Sequence, residues 1–361
     1  MADTSPYQEQ LNRIRELKRF CWTREGAAQE YQYCAYKPEP ITRMKNLVEI
    51  GFVLRYAIGP RVLDAGAGTG RFTFPLQSRG IDAVAVDISP GMLREGARSA
   101  RKSPHPFRAL VGDIERLPFE DNTFDSLVSI TVLRHFPDWP AIFDEYLRVV
   151  RPGGRIIFDM ASLDQQAYLE AAGIVEPNPE PELDPVTFDT GITLRDLAEL
   201  AARRRLAVAA ATPIDVFNEN RLLDHVLGER KEAFMERLRA CLDGNGAILL
   251  YELLSRRVLP AVSPAISGSW FIVVEKREPG APFRPPFRAA QAGRSTVSPE
   301  ARLMAILRHC LGADYDACIR ECADAAAQWP EARSLLELCR DELLPRFPLD
   351  ALCWEAGEGA P

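Results

Sequence analysis

The sequence has few of the residues that usually build metal and nucleophile sites. Only four histidines occur in 361 residues and none is paired at ligand spacing; the eight cysteines form no C-x-x-C. No metal is therefore expected. Positive charge is not in excess either: the formal net charge is −7, which argues against nucleic acid as a partner, since polyanions are bound by concentrated Lys and Arg. No apolar run approaches the roughly 18–20 residues of a membrane helix, and residues 1–13 are too polar for a secretory signal. A cytoplasmic location with reduced cysteines and no membrane contact is the resulting expectation.

What is present is an ordinary globular composition, 47% hydrophobic and 26% charged, in a chain longer than one small enzyme fold needs. Residues 1–56 read as a helical cap, with Leu11, Ile14, Leu17 and Phe20 at three-residue steps and a second amphipathic run through Ile41, Met44, Leu47 and Val48. Short apolar strands are predicted at 62–63, 82–87, 108–111, 124–130, 154–160, 206–214 and 270–275, with helices at 72–79, 91–102, 141–150 and 193–205 between them. Thr193 with Asp196 three residues on marks the start of the last of these helices. Strands alternating with helices predict an α/β fold of the Rossmann-like, doubly wound kind, a mostly parallel seven-stranded sheet covered on both faces. This catalytic-size domain would span 57–278. It would carry a helical insertion at about 215–268, where Leu222, Leu223, Val226, Leu227, Phe234, Leu238 and Leu242 make an apolar stripe fit for a lid. A proline-rich linker at 279–298 and a C-terminal helical hairpin at 299–361 complete the chain. Cys318 and Cys322 are read there as small packing residues rather than ligands.

One constellation stands above this background. Val62-Leu63-Asp64-Ala65-Gly66-Ala67-Gly68-Thr69-Gly70-Arg71 ends the first strand. Glycines at alternate positions let a strand turn sharply into a helix and let a ligand lie directly on backbone. The dinucleotide fingerprint needs its third glycine where Arg71 stands, and no Gly-Lys-Ser/Thr follows, so neither a pyrophosphate nor a nucleotide-phosphate loop is indicated. Asp87 ends the second strand where a carboxylate can accept hydrogen bonds from both hydroxyls of a ribose. Asp113 and Ile114 end the third, where an acid can take an exocyclic amine and an isoleucine can cover a ring. The three elements point to one nucleoside.

With these residues, and with Ile88-Ser89-Pro90-Gly91-Met92-Leu93, Leu117-Pro118-Phe119, Phe124-Asp125 through His135-Phe136 and Leu147 through Gly154, the chain resembles class I S-adenosylmethionine-dependent methyltransferases. The likeness is greatest to the small-molecule branch that includes the ubiquinone/menaquinone-type enzymes. It is strong over 56–160 and weak over 193–277. The resemblance implies S-adenosyl-L-methionine as cofactor. Asp64 and the loop Gly66, Gly68, Thr69 and Gly70 would meet its methionine part, Asp87 its ribose, Ile88 and Met92 the adenine face, Asp113 and Ile114 the adenine edge, and Ser129 with Ile130 the methyl-transfer side. Met92 also fits plain core packing.

Methyl transfer from a sulfonium is an in-line displacement that needs positioning and exclusion of water above all. Where the acceptor is a hydroxyl or acidic carbon a base helps, and His135, after the fourth strand, is the candidate; simple packing also suits it. Tyr31, Tyr33, Tyr36 and Arg43 in the cap are candidates for the cofactor's carboxylate or the substrate, with packing of the cap as the other reading. The sequence Ser129-Ile130-Thr131-Val132 replaces the Asn/Asp-Pro-Pro-Tyr/Phe of adenine and glutamine methylation. The expected activity is thus methyl transfer to O, N, S or C of a small or medium organic molecule. A non-catalytic protein that binds the cofactor or its demethylated product and uses the C-terminal helices for a homodimer or protein contact is the alternative.

Overall fold

The computed structural model describes residues 6–35, 39–101, 105–175, 189–214, 221–241 and 268–278. Three helices come first, α1 (Pro6–Thr23), α2 (Ala27–Ala35) and α3 (Pro40–Tyr56). The alternating part then runs β1 (Arg61–Ala65), α4 (Thr73–Ser78), β2 (Asp82–Asp87), α5 (Pro90–Ala100), β3 (Ala109–Val111), β4 (Phe124–Ser129), α6 (Trp139–Val149), β5 (Val150–Ser162), α7 (Leu163–Ala171), β6 (Gly191–Ile192), α8 (Leu194–Arg204) and β7 (Leu206–Pro213). Two further helices, α9 (Arg221–Leu227) and α10 (Lys231–Cys241), precede β8 (Ser269–Lys276).

The strands form one sheet in the order β3-β2-β1-β4-β5-β8-β7, with the two-residue β6 beside β5. All pairs are parallel except those of β8, which runs antiparallel to both β5 and β7. The fold is therefore the mostly parallel, doubly wound α/β sheet read from the sequence, with β6 as an addition to the seven. Its strands are near-continuous apolar runs because helices cover both faces. Ile156, Ile157, Phe158, Ile272, Val273 and Val274 are all fully buried. Thr193 and Asp196 close a reciprocal capping box at α8, each side chain accepting the other's backbone N–H.

The cap helices differ in detail from their sequence pattern. In α1 the residues turned inward are Leu11, Ile14 and Lys18, while Phe20 is 61% exposed. Steps of three residues fall about 60° short of a full turn each time, so a strict three-residue series walks round the helix and delivers Phe20 to the far side. Leu47 of α3 leaves the Ile41, Met44, Val48, Phe52 face for the same reason and is 41% exposed.

The described part of the insertion, α9 and α10, packs on α3 and β8. Leu227, Phe234, Met235 and Leu238 of α9 and α10 are buried in the cluster that holds Met44, Val48 and Phe52 of α3 and Phe271 and Val273 of β8. Arg239 of α10 reaches Glu39 at the start of α3, 3.4 Å away. These four apolar residues thus cover a sheet face. Cys318, Cys322 and the hairpin of 299–361, the linker of 279–298 and Tyr36 lie outside the described residues, as does 242–267 of the insertion. Among the described residues no helix is long and apolar enough to cross a membrane.

Candidate functional site

Successive crossovers lead from β1 to β2 and β3 on one side and to β4 and β5 on the other, so strand order reverses between β1 and β4. In open α/β sheets ligands bind at the carboxyl ends of the strands at such a point. A cleft of about 790 Å³, its open mouth included, stands there. Gly66 and Gly68 after β1, Asp87 at the end of β2 with Ile88 and Met92 beyond it, Asp113 and Ile114 after β3, and Ile130, Thr131, Val132 and His135 after β4 line it.

The glycine loop turns with Gly66, Gly68 and Gly70 at φ 75°, 56° and 88°, in the region open to glycine at no steric cost. A Cβ on Gly66 would stand 2.4 Å from Val132 Cγ2, so this glycine lets β1 and the segment after β4 close on each other. Gly68 donates its N–H to Asp87 Oδ2 at 2.8 Å, and Ser89 donates its N–H to Asp87 Oδ1 at 2.8 Å. Burial pushes the Asp87 carboxyl above the usual range against these two amides. Each oxygen keeps lone pairs for further donors on the cleft side.

Asp64, one strand position before the loop, is placed beneath it. It is 2% exposed and accepts from Thr73 Oγ1 at 2.6 Å; burial first of all pushes its pKa up to about 6. Thr69, Gly70 and Ser129 likewise stand outside the cleft lining. A Cβ on Gly70 would stand 2.8 Å from the Phe107 ring, and Ser129 Oγ hydrogen-bonds the buried Tyr146 hydroxyl at 2.9 Å. Arg71, whose side chain would crowd a pyrophosphate, is buried outside the cleft lining against Asn46 and Glu49 of α3, 2.5 Å from each.

On the adenine-edge side, Asp113 Oδ1 accepts the N–H of Glu115 at 3.0 Å. Arg19 of α1 spans Asp113 and Glu115 at 2.7 and 2.8 Å. The cap is the roof of the cleft: Lys18, Arg19, Trp22 and Tyr31 all line it. Trp22 meets Tyr31 edge on, 6.2 Å between ring centres. The buried face of α2 is Ala27, Ala28 and Tyr31, so Tyr33, two positions farther round, faces outward at 73% exposure. Arg43 is exposed on α3. Met92 serves both readings made of it, lining the cleft while packing against Ala27, Ala28, Trp22 and Tyr31.

The fourth-strand side is tied by charge. Thr131 has φ 59°, a strained conformation for a β-branched residue, and donates its N–H to Asp159 Oδ1 at 2.5 Å. Arg134 donates from Nε and Nη2 to Asp189 Oδ2 at 3.0 and 2.6 Å, and lies 3.6 Å from Asp159. The Thr190 N–H donates to the Arg134 carbonyl at 2.6 Å. Asp189 Oδ1 stands 2.9 Å from His135 Nδ1. Although burial opposes it, the hydrogen bond to His135 and the Arg134 charge hold the Asp189 carboxyl below the usual range. Arg15 of α1 pairs with Asp138.

Sequence reading missed Lys18, Arg19, Trp22, Thr131, Asp159 and Asp189. A signal existed for three of them, since Arg15, Lys18, Arg19 and Trp22 share one helical face by their spacing. None existed for Asp189, which meets His135 only through folding. Among the described residues no three His, Cys, Asp or Glu groups converge as a metal site would require.

A family model described as a methyltransferase domain matches residues 63–158. The chain is 42% identical over 113 residues to a demethylmenaquinone methyltransferase of Beutenbergia cavernae, a match covering 31% of this chain and 45% of that enzyme. It is 43% identical over 100 residues to a malonyl-[acyl-carrier protein] O-methyltransferase of Serratia marcescens, covering 28% and 38%. It therefore spans less than half the length of these curated relatives. The solved structure of phosphoethanolamine N-methyltransferase 2 of Haemonchus contortus in complex with S-adenosyl-L-methionine is 18% identical, with a TM-score of 0.48 over 73% of this chain and 60% of that one. Segment 63–158 is thus similar to methyltransferase domains, and the match carries the glycine loop and the strand ends that line the cleft.

Proposed function

We propose that the chain transfers a methyl group from S-adenosyl-L-methionine to O, N, S or C of a small or medium organic acceptor. The observation that carries this reading is the convergence of Gly66, Gly68, Asp87, Ile88, Met92, Asp113 and Ile114 on one cleft at the reversal of strand order. These residues fit the cofactor. Asp87 offers a carboxylate already fixed by two amides and open on the cleft side to two hydroxyls. Ile88, Met92 and Ile114 supply apolar walls for a ring, and Asp113 accepts an amine beside them. When bound, the cofactor supplies a methyl group on a positively charged sulfur, which any correctly placed electron pair can displace.

The residues of this chain then have three tasks. Asp87 and Asp113 fix the nucleoside, and the positive-φ glycines give it a backbone floor. Ile130, Thr131 and Val132 form the wall across the cleft, and the strained Thr131, pinned by Asp159, sets the shape of that wall. Trp22, Tyr31, Lys18 and Arg19 close the roof and keep water out, which strengthens every polar contact beneath them. Asp64 acts from below the loop through Thr73, so it supports the floor rather than touching the ligand.

Calorimetric titration with S-adenosylmethionine and S-adenosylhomocysteine, followed by release of the demethylated cofactor against a metabolite panel, tests the reading. Binding of both with turnover of an acceptor supports it. Binding with no turnover on any acceptor favours the non-catalytic alternative, and no binding of either form removes both.

A further inference from the structure

His135 is held in a way that methyl-donor binding does not require. Its Nδ1 lies 2.9 Å from Asp189 Oδ1, and Asp189 is itself clamped by two donors of Arg134. Lys18 Nζ stands 3.4 Å from the same Nδ1. A lone pair on Nδ1 would face an anionic oxygen at hydrogen-bond distance, which is repulsive, so the proton is assigned to Nδ1 and donated to Asp189. Nε2 then carries the lone pair. It is buried and has no hydrogen-bond partner among the described residues, although His135 lines the cleft. Buried polar atoms are nearly always paired, so an orphan at a cleft wall asks for a partner from a ligand.

We propose that Asp189 is a positioning residue that fixes His135 as the Nδ1–H tautomer, and that His135 Nε2 accepts the proton of an acceptor with an acidic hydroxyl or enol. This rests on the methyl-transfer reading and names the acceptor class of that same site. Nε2 takes the hydroxyl proton as the oxygen's electron pair bonds the methyl carbon. The electrons of the methyl–sulfur bond stay on sulfur, and the imidazolium later returns its proton to water. The charged groups facing this pair are Lys18 from α1, Arg134 beside it in the chain and, through Arg134, Asp159 at 3.6 Å.

Long-range 1H–15N spectra of the full chain labelled at histidine test the pair, with the signals assigned by His135→Gln. With S-adenosylhomocysteine present, His135 should appear at pH 8 as the neutral Nδ1–H tautomer. Asp189→Asn should mix the tautomers, because the anionic acceptor of the Nδ1 proton is removed, and Asp189→Glu should restore the single tautomer. An Nε2–H tautomer in the parent chain, or spectra that Asp189→Asn leaves unchanged, would overturn the pair. Added 2-naphthol should move the Nε2 signal and naphthalene should not; equal movement, or none, would overturn the acceptor class. Calorimetry on the same samples separates the two readings. Expected spectra without uptake of S-adenosylhomocysteine would sink methyl transfer and leave the pair, and uptake with contrary spectra would sink the pair alone.

Discussion

On one side of the cleft the residues arrive in chain order at the ends of successive parallel strands, from Gly66 after β1 to Asp87 at the end of β2 and Asp113 after β3. On the other side His135 meets Lys18 across 117 positions and also meets Asp189, with Trp22 5.9 Å away ring to ring. The first side follows from strand–turn–helix repeats, whose lengths fix where each residue lands. The second exists only once α1, the turn after β4 and the segment before β6 have packed together. We assign the local side to the cofactor and the assembled side to the acceptor, so a change on each should have separable effects.

The largest effect should come where the two sides touch. Gly66→Ala would place a Cβ 2.4 Å from Val132 at φ 75°, combining backbone strain with overpacking at a cost of about 2–4 kcal/mol. A thermal unfolding midpoint close to that of the parent chain would mean that the contact between the sides is looser than described.

Next is the acid beneath the floor. Folding raises the pKa of Asp64 to about 6, so its contribution to stability is fully present below the unfolded value of about 4 and is lost as pH rises through about 6. Denaturant unfolding of the ligand-free chain should therefore weaken between pH 4 and 6, by up to about 3 kcal/mol from this group. In Asp64→Asn, which still accepts from Thr73, that part of the slope should disappear; an unchanged slope would reassign it to Asp87 or another buried acid.

The smallest effect belongs to the roof. Arg19 and its partners Asp113 and Glu115 are 41%, 34% and 28% exposed, and pairs this open are worth less than about 1 kcal/mol. Arg19→Ala should leave the unfolding midpoint nearly in place. A large drop would make the cap a part of the core rather than a cover.

Legibility in the sequence divides along the same line. The strands at 82–87 and 206–214 and the α8 cap at Thr193 and Asp196 were readable because apolar period and capping chemistry are local. The placement of Gly66, Asp87 and Asp113 followed from strand ends. Burial on the underside was not readable: Asp64 and Asp87 sit on adjacent strands and look alike in sequence. Only the direction of each side chain sends one to Thr73 and the other to the cleft. The seat of α9 and α10 was not readable, because an apolar stripe shows that a helix buries one face but not what it buries that face against. Asp189 was invisible because its role depends on a contact that no local spacing encodes.

The most direct test of the division is the affinity for S-adenosylhomocysteine of three full-length chains measured side by side: the parent, Asp87→Ala and Asp189→Asn. The account predicts binding by the parent, a loss of about a hundredfold or more in Asp87→Ala, where the ribose acceptor is gone and two amides are left unpaired, and affinity in Asp189→Asn within about twofold of the parent, well under a kcal/mol. Parent-like binding by Asp87→Ala, or a loss in Asp189→Asn as large as that in Asp87→Ala, would contradict it.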